Sequence, residues 1–192
     1  VVNIGGIANI TLLPPGADTD VMRISGFDTG PGNGLMDEWI QRHRDLPYDA
    51  DGDWAAAGRI DDALLQQLLT DAYFARAAPK STGRDLFGLA WLEQHLAALD
   101  YRIAAVDVQA TLAELTARTI ADGLQTMTPA SQTVYLCGGG AHNRHLMQRL
   151  AVHVAPARVA ITDDLGVESD WVEAIAFAWL ARERLAGRPG NA

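Results

Sequence analysis

The sequence predicts an α/β fold, and three observations predict it. Apolar, β-branched runs come first, around a Gly-Gly pair. A long middle section then changes to helical spacing. Two short buried-type strands near the end each lead into a helix. Such strand–helix alternation suits parallel strands with crossover helices, which are right-handed by default.

Each element has its own local reason. Val1–Ile4 and Ile7–Leu13 read as strands joined by a tight turn at Gly5-Gly6. Pro14, Pro15 and Gly16, followed by Asp18 and Asp20, break the run. Val21–Phe27 reads as a further antiparallel strand. Asp28 ends it, and a loop of Thr29, Gly30, Pro31, Gly32 and Asn33 follows. From Gly34 onward, Leu35, Met36, Trp39 and Ile40 recur at helical spacing. The stretch 48–60 is polar and reads as a loop with one short turn. Leu64, Leu65, Leu68, Leu69 and Ala72 line one face of an amphipathic helix. PKSTGRD, residues 79–85, is a loop, and the next helix carries Leu89, Trp91, Leu92 and Leu96. Asp107 is a candidate N-cap for the longest helical signal, DVQATLAELTARTIADGL. Thr133–Cys137 is a short strand, and Gly138, Gly139 and Gly140 lead to a helix beginning near Asn143. Arg158–Ile161 is another strand. Trp171–Leu185 is a final helix, with Ala174, Ala178 and Ala181 as a small-residue stripe suited to close helix packing.

Composition narrows the function classes. The chain has 192 residues, 48% apolar and 20% charged, an ordinary globular balance rather than a disordered one. A formal net charge of −9 argues against nucleic-acid or anionic-membrane partners, which need a basic surface. Cys137 is the single cysteine, so neither an internal disulfide framework nor a thiolate zinc cluster is available. Its place at the end of an apolar strand marks it as a buried hydrophobe. A reducing, cytoplasmic compartment fits. No apolar run approaches the roughly 18 residues of a membrane span. His142 and His145 lie three apart without a nearby third ligand, so no protein metal site is expected.

Four stretches carry candidate chemistry, each with a plain structural alternative. In NIGGIANIT, Gly5 and Gly6 let backbone N–H groups approach an anion, or simply turn a hairpin. In LCGGGAHN, a strand runs through three glycines into a helix, which suits a nucleotide or merely a packed turn. It is neither a G-x-G-x-x-G fingerprint nor a P-loop. In GFDTGPGN, Asp28 among small neighbours can act as a general base, hold a magnesium-bound water, or cap a turn. In PKSTGRD, Lys80 and Arg84 flank Ser81 and Thr82 and can grip a carboxylate or phosphate, or remain solvated. Glu168, Asp170 and Glu173 gather at the start of the last helix, where the dipole favours acids.

Taken together, NIGGIANIT, GFDTGPGNGLMDEW, YDADGDWAAAGRI, PKSTGRDLF, DVQATLAELTA, CGGGAHNRHLM and EAIAFAWLA run in one order along nearly the whole chain. In that order they resemble the anhydro-N-acetylmuramic acid kinases, of the sugar kinase, actin and heat-shock chaperone ATPase superfamily. The resemblance implies an actin-like, ribonuclease H-like ATPase lobe. It implies an enzyme of peptidoglycan recycling that uses ATP and Mg²⁺ to hydrolyse and phosphorylate the 1,6-anhydro sugar. By the same matching, Asp28 is the expected catalytic base. Gly5 and Gly6 fall on a phosphate-binding element, and Gly138, Gly139, Gly140 and Asn143 on an adenosine-binding element. Thr29, Gly30, Lys80, Ser81, Thr82 and Arg84 are expected sugar or lactyl-carboxylate contacts, and the final helix is expected at the interlobe hinge. The family's GTSxDGxD-type phosphate loop has no match here. The chain is therefore expected to be a C-terminal lobe plus interlobe region, without the N-terminal lobe or the extreme C-terminus. Two other readings stay open: another actin-fold sugar kinase, or a non-catalytic nucleotide-binding module. The oligomeric state, a homodimer included, is open as well.

Overall fold

Hairpin, helical middle and strand–helix repeats assemble around one five-stranded sheet. The computed structural model describes residues 1–13, 24–127 and 133–190. Its strands are β1 (Val2–Ile4), β2 (Ile7–Leu12), β3 (Ser25–Pro31), β4 (Thr133–Cys137) and β5 (Arg158–Ile161), in the spatial order β3-β2-β1-β4-β5. The first three are an antiparallel meander, and β4 and β5 add in parallel beside β1. This is the mixed α/β arrangement the alternation of elements predicts.

The meander departs from expectation in two places. Ile4 pairs with Ala8, so the turn spans Gly5, Gly6 and Ile7 rather than two glycines alone. The third strand begins later and runs on through Asp28, Thr29, Gly30 and Pro31. Asp28 therefore lies inside a strand, not at the mouth of a loop. Pairing with β2 overrides the turn-like composition, and a bulge opposite Ala8/Asn9 absorbs the irregularity. The expected break at Pro14–Asp20, and Val21–Arg23 of the expected strand, lie outside the described residues.

The helices are α1 (Gly34–Arg44), α2 (Asp53–Ala57), α3 (Asp62–Leu69), α4 (Ala72–Ala75), α5 (Leu89–Ala97), α6 (Ala105–Met127), α7 (Arg144–Val154) and α8 (Val172–Leu185). The stretch read as a loop over 48–60 folds into a 3₁₀ turn and α2. Its organiser is the buried Asp49 carboxylate, which accepts from the N–H groups of Trp54 and Ala55. Ala72 belongs to a separate short helix, because Asp71 interrupts α3 and caps α4 through Tyr73 N–H. Asp107 is not the cap of α6. It lies in the first turn, and its carboxylate accepts from Arg59 N–H.

Helix α6 is the spine of the fold, lying against β2 and β3 and flanked by α1, α2, α3 and α7. Two of its buried polar residues reach across to neighbouring elements. Thr116 Oγ1 donates to the carbonyls of Pro31 and Gly32, and Glu114 receives Arg149 and His153 from α7. Gly123 of α6 lets Ile10, Phe27 and Thr29 close against the helix, since a Cβ there would fall within 3.3 Å of all three.

Helix α8 departs from the rest. Trp171 at its start, then Ile175, Phe177, Trp179, Leu180 and Leu185, are exposed, as are Ala174, Ala178 and Ala181. The small-residue stripe therefore packs against no helix among the described residues, and Trp171 and Trp179 stand outside the core. Within the described residues, no helix is long and apolar enough to cross a membrane.

Candidate active site

Alternation along β3 decides which side chains a ligand can reach. Phe27 and Thr29 turn toward α6, so Asp28 turns to the opposite face of the sheet. There it lines a cleft of about 460 Å³ with Asn9, Thr11, Gly26, Lys80 and Ser81, on the scale of small-molecule pockets. Asn9 is the direct cross-strand neighbour of Asp28.

The loop over 79–85 folds onto Asp28. Asp28 N–H donates to the Lys80 carbonyl at 3.1 Å. Ser81 Oγ donates to Asp28 Oδ2 at 2.8 Å, and Thr82 N–H donates to the same oxygen at 2.9 Å. The Tyr73 hydroxyl donates to the Asp28 carbonyl at 2.6 Å. Burial, with the Asp28 charge adding to it, pushes the Tyr73 phenol up to about 12, so it stays a neutral donor. Lys80 Nζ donates to the carbonyls of Tyr73 and Phe74 and lies 4.7 Å from the Tyr73 ring centroid. Burial first, then the charge of Arg76, lowers its pKa.

A second cleft opens at the carboxyl ends of β1 and β4, the edge where open α/β sheets receive ligands. It encloses about 370 Å³ and is lined by Asn33, Asp37, Tyr48, Asp51, Gly139, His142 and Asn143, among others. The Gly5–Ile7 turn is fixed beside it. The Gly6 carbonyl accepts from Gly32 and Gly34 N–H, and the Gly5 carbonyl accepts from Asn33 N–H. Gly138 has φ of 76°, and a Cβ there would strike Asn3 Oδ1 at 2.4 Å, so only glycine lets β4 turn this close to β1. Asp37 is held in this cleft at the start of α1. Burial pushes its carboxyl up to about 6, against the opposing pull of Arg84.

Arg84 lies against the glycine turn. A Cβ on Gly6 would lie 2.7 Å from Arg84 Nε, so the guanidinium rests on the glycine turn while Ser81 and Thr82, two to three residues earlier, hold Asp28. Gly6 in the turn and Asn9 in β2 are three residues apart in sequence.

The structure thus brings Asp28, Ser81 and Thr82 together, and Gly5, Gly6 and Arg84 together. Four of the expected contact residues are turned inward or already engaged in the fold. Thr29 is 2% exposed, turned inward, and gives its hydroxyl to the Ala8 carbonyl. Gly30 is buried under Phe74. The Lys80 ammonium is occupied by backbone carbonyls, although the residue lines the cleft. Gly140 packs on Ile4 rather than facing a ligand. Of the three glycines after β4, Gly139 lines the second cleft, and Asn143 lines it while its Oδ1 caps α7 through Leu146 N–H. Arg84 faces the glycine turn rather than the Asp28 cleft. Sequence reasoning missed Asn9, Asp37 and Tyr73.

The fold defines a class first: an α/β lobe with an actin-like fold. A solved structure sharing the fold is the activator of the 2-hydroxyisocaproyl-CoA dehydratase from Clostridium difficile with bound ADPNP, with a TM-score of 0.56. That likeness covers 88% of this chain and 54% of the other, at 12% identity. The family follows from sequence comparison. The family model for anhydro-N-acetylmuramic acid kinase matches residues 1–192, and the chain belongs to that family. Relatives named anhydro-N-acetylmuramic acid kinase include those of Ralstonia nicotianae, 52% identical over 191 residues, and Nitrosomonas europaea, 49% identical over 191 residues. Each alignment covers 100% of this chain and 50% of the relative. The chain spans about half the length of the curated relatives it matches.

Proposed function

We propose that this chain is the C-terminal lobe and interlobe region of a cytoplasmic anhydro-N-acetylmuramic acid kinase. The whole protein then converts the 1,6-anhydro sugar, ATP and water to N-acetylmuramic acid 6-phosphate and ADP, in peptidoglycan recycling. The observation that carries this reading is Asp28, half-buried in a sugar-sized cleft and held there by the 79–85 loop. The family match and the exposed apolar face of α8, a surface suited to covering by further protein, support it.

In this mechanism the Asp28 carboxylate takes a proton from a water. The oxygen of that water bonds to the anomeric carbon as the bond from that carbon to O6 breaks. The freed O6 attacks the γ-phosphorus, and the bond to the β-phosphate oxygen breaks to release ADP. The proton on Asp28 returns to solvent. One base thereby serves both bond changes, because opening the bridge generates the nucleophile. Arg84 at the Gly5–Gly6 turn supports the phosphate charge that grows during transfer. The second cleft offers oxygen donors in Asp37 and the Asn33 amide, while its other carboxylates, Asp49 and Asp51, are engaged by the Trp54 and Ala55 N–H groups and by Arg144. That set fits Mg²⁺ bound largely through phosphates and water. When bound, Mg²⁺ neutralises phosphate charge.

The test is a coupled ADP-release assay on the full-length enzyme. Turnover with the anhydro sugar and none with the ring-opened sugar supports the reading. Equal turnover with both would replace it with an ordinary sugar kinase, and turnover with neither would leave only a binding module.

A further inference from the structure

The two oxygens of the Asp28 carboxylate are not equivalent. Oδ2 accepts from Ser81 Oγ at 2.8 Å and from Thr82 N–H at 2.9 Å. Oδ1 receives no hydrogen bond among the described residues. An unrestrained carboxylate would rotate about its terminal torsion and offer either oxygen in turn. Two donors on one oxygen stop that rotation. The loop that supplies them is itself anchored, through the Lys80 carbonyl to Asp28 N–H and through Lys80 Nζ to α4.

We propose that Ser81 is a positioning residue acting through Asp28: its hydroxyl, with the Thr82 N–H, fixes Oδ2 so that Oδ1 is the oxygen that takes the proton. This rests on the catalytic reading above and changes the part expected of Ser81, from touching the sugar to orienting the base. Proton transfer needs the base oxygen within hydrogen-bond reach of the water and correctly aimed, and small misplacements are expensive. Thr82 contributes a backbone N–H that substitution cannot remove, so Ser81→Ala halves the clamp rather than abolishing it.

The experiment compares full-length wild type with Ser81→Ala, Ser81→Thr and Ser81→Cys in the coupled assay. Ser81 is exposed, so thermal midpoints of the variants should match wild type. Ser81→Ala should lose about tenfold in kcat, with KM for sugar and for ATP within about twofold. Ser81→Thr, which keeps the hydroxyl, should restore kcat. Ser81→Cys, a weaker donor, should fall between. A raised KM for sugar with unchanged kcat would make Ser81 a substrate contact and overturn the proposal, as would a Ser81→Ala enzyme equal to wild type. An inactive wild type removes the catalytic reading and this inference with it. An active wild type beside an unaffected variant removes this inference alone.

Discussion

Arg84 rests on Gly6 only because Gly6 has no side chain. Gly6→Ala would put a Cβ 2.7 Å from Arg84 Nε and 2.8 Å from Nη2, closer than carbon and nitrogen can lie. Gly6 does not need a positive φ, so alanine meets no backbone strain there. The obstructed atoms are the far end of an exposed, flexible side chain. Relief is therefore a swing of the guanidinium away from the turn, with folding stability within about 1 kcal/mol of wild type. If Arg84 supports phosphate charge from its place on the turn, Arg84→Ala should lose about 2 kcal/mol of transition-state stabilisation, roughly thirtyfold in kcat/KM for ATP. Gly6→Ala should lose about tenfold by displacing the same group. The double variant should be no worse than about threefold below Arg84→Ala, since the group displaced is already gone. Steady-state kinetics on the full-length enzyme and thermal melts read all three. Fully multiplicative losses would refute the reasoning, showing that the added methyl acts on the ligand or turn directly.

Three further predictions rest on packing and titration. Gly140→Ala would place a Cβ 2.3 Å from Ile4 Cγ2 in the fully buried core, and chemical denaturation should show a loss of about 2–3 kcal/mol. Burial alone would push the Glu114 carboxyl up, but hydrogen bonds and charge from Arg149 and His153 bring it below its ordinary range. That stability is present above the ordinary value of 4.5 and lost as pH falls through the lowered one. Glu114→Gln should therefore cost about 2 kcal/mol at pH 7, with the cost shrinking in acid melts. Asp37 shows the reverse sign: a carboxyl raised to about 6 binds its proton more tightly folded than unfolded, so it penalises folding as pH rises through that value. With its partial solvent contact discounted, Asp37→Asn should stabilise the fold by about 1 kcal/mol at pH 8 and by little at pH 4, read as a difference in thermal midpoints.

The elements that sequence marks well are those whose local and tertiary signals agree. Strands β4 and β5 fall where their apolar runs place them, and Leu35, Met36, Trp39 and Ile40 of α1 are all buried as their spacing predicts. The strand carrying Asp28 is displaced because Thr29, Gly30 and Pro31 read as a turn, while pairing with β2 makes them strand. Asn9 was legible in principle. A three-residue turn at Gly5–Ile7 sets Asn3 opposite Asn9, a polar pair within apolar strands, and the next strand then adds Asp28 to the row. Tyr73 and Arg84 were not legible in their roles. Their positions depend on how the 71–85 segment folds back onto the meander, a long-range contact with no local signature. The exposed apolar face of α8 reads in sequence like any core helix, since periodicity marks an apolar surface and not what covers it.

The central claim is that Asp28 is the base that opens the anhydro bridge, and Asp28→Asn in the full-length enzyme tests it most directly. The asparagine keeps the shape and can still accept from Ser81 and Thr82, so the variant should melt like wild type. Its turnover of the anhydro sugar should fall at least ~100-fold, the scale of a lost general base. Wild-type turnover by a correctly folded Asp28→Asn enzyme would contradict the account.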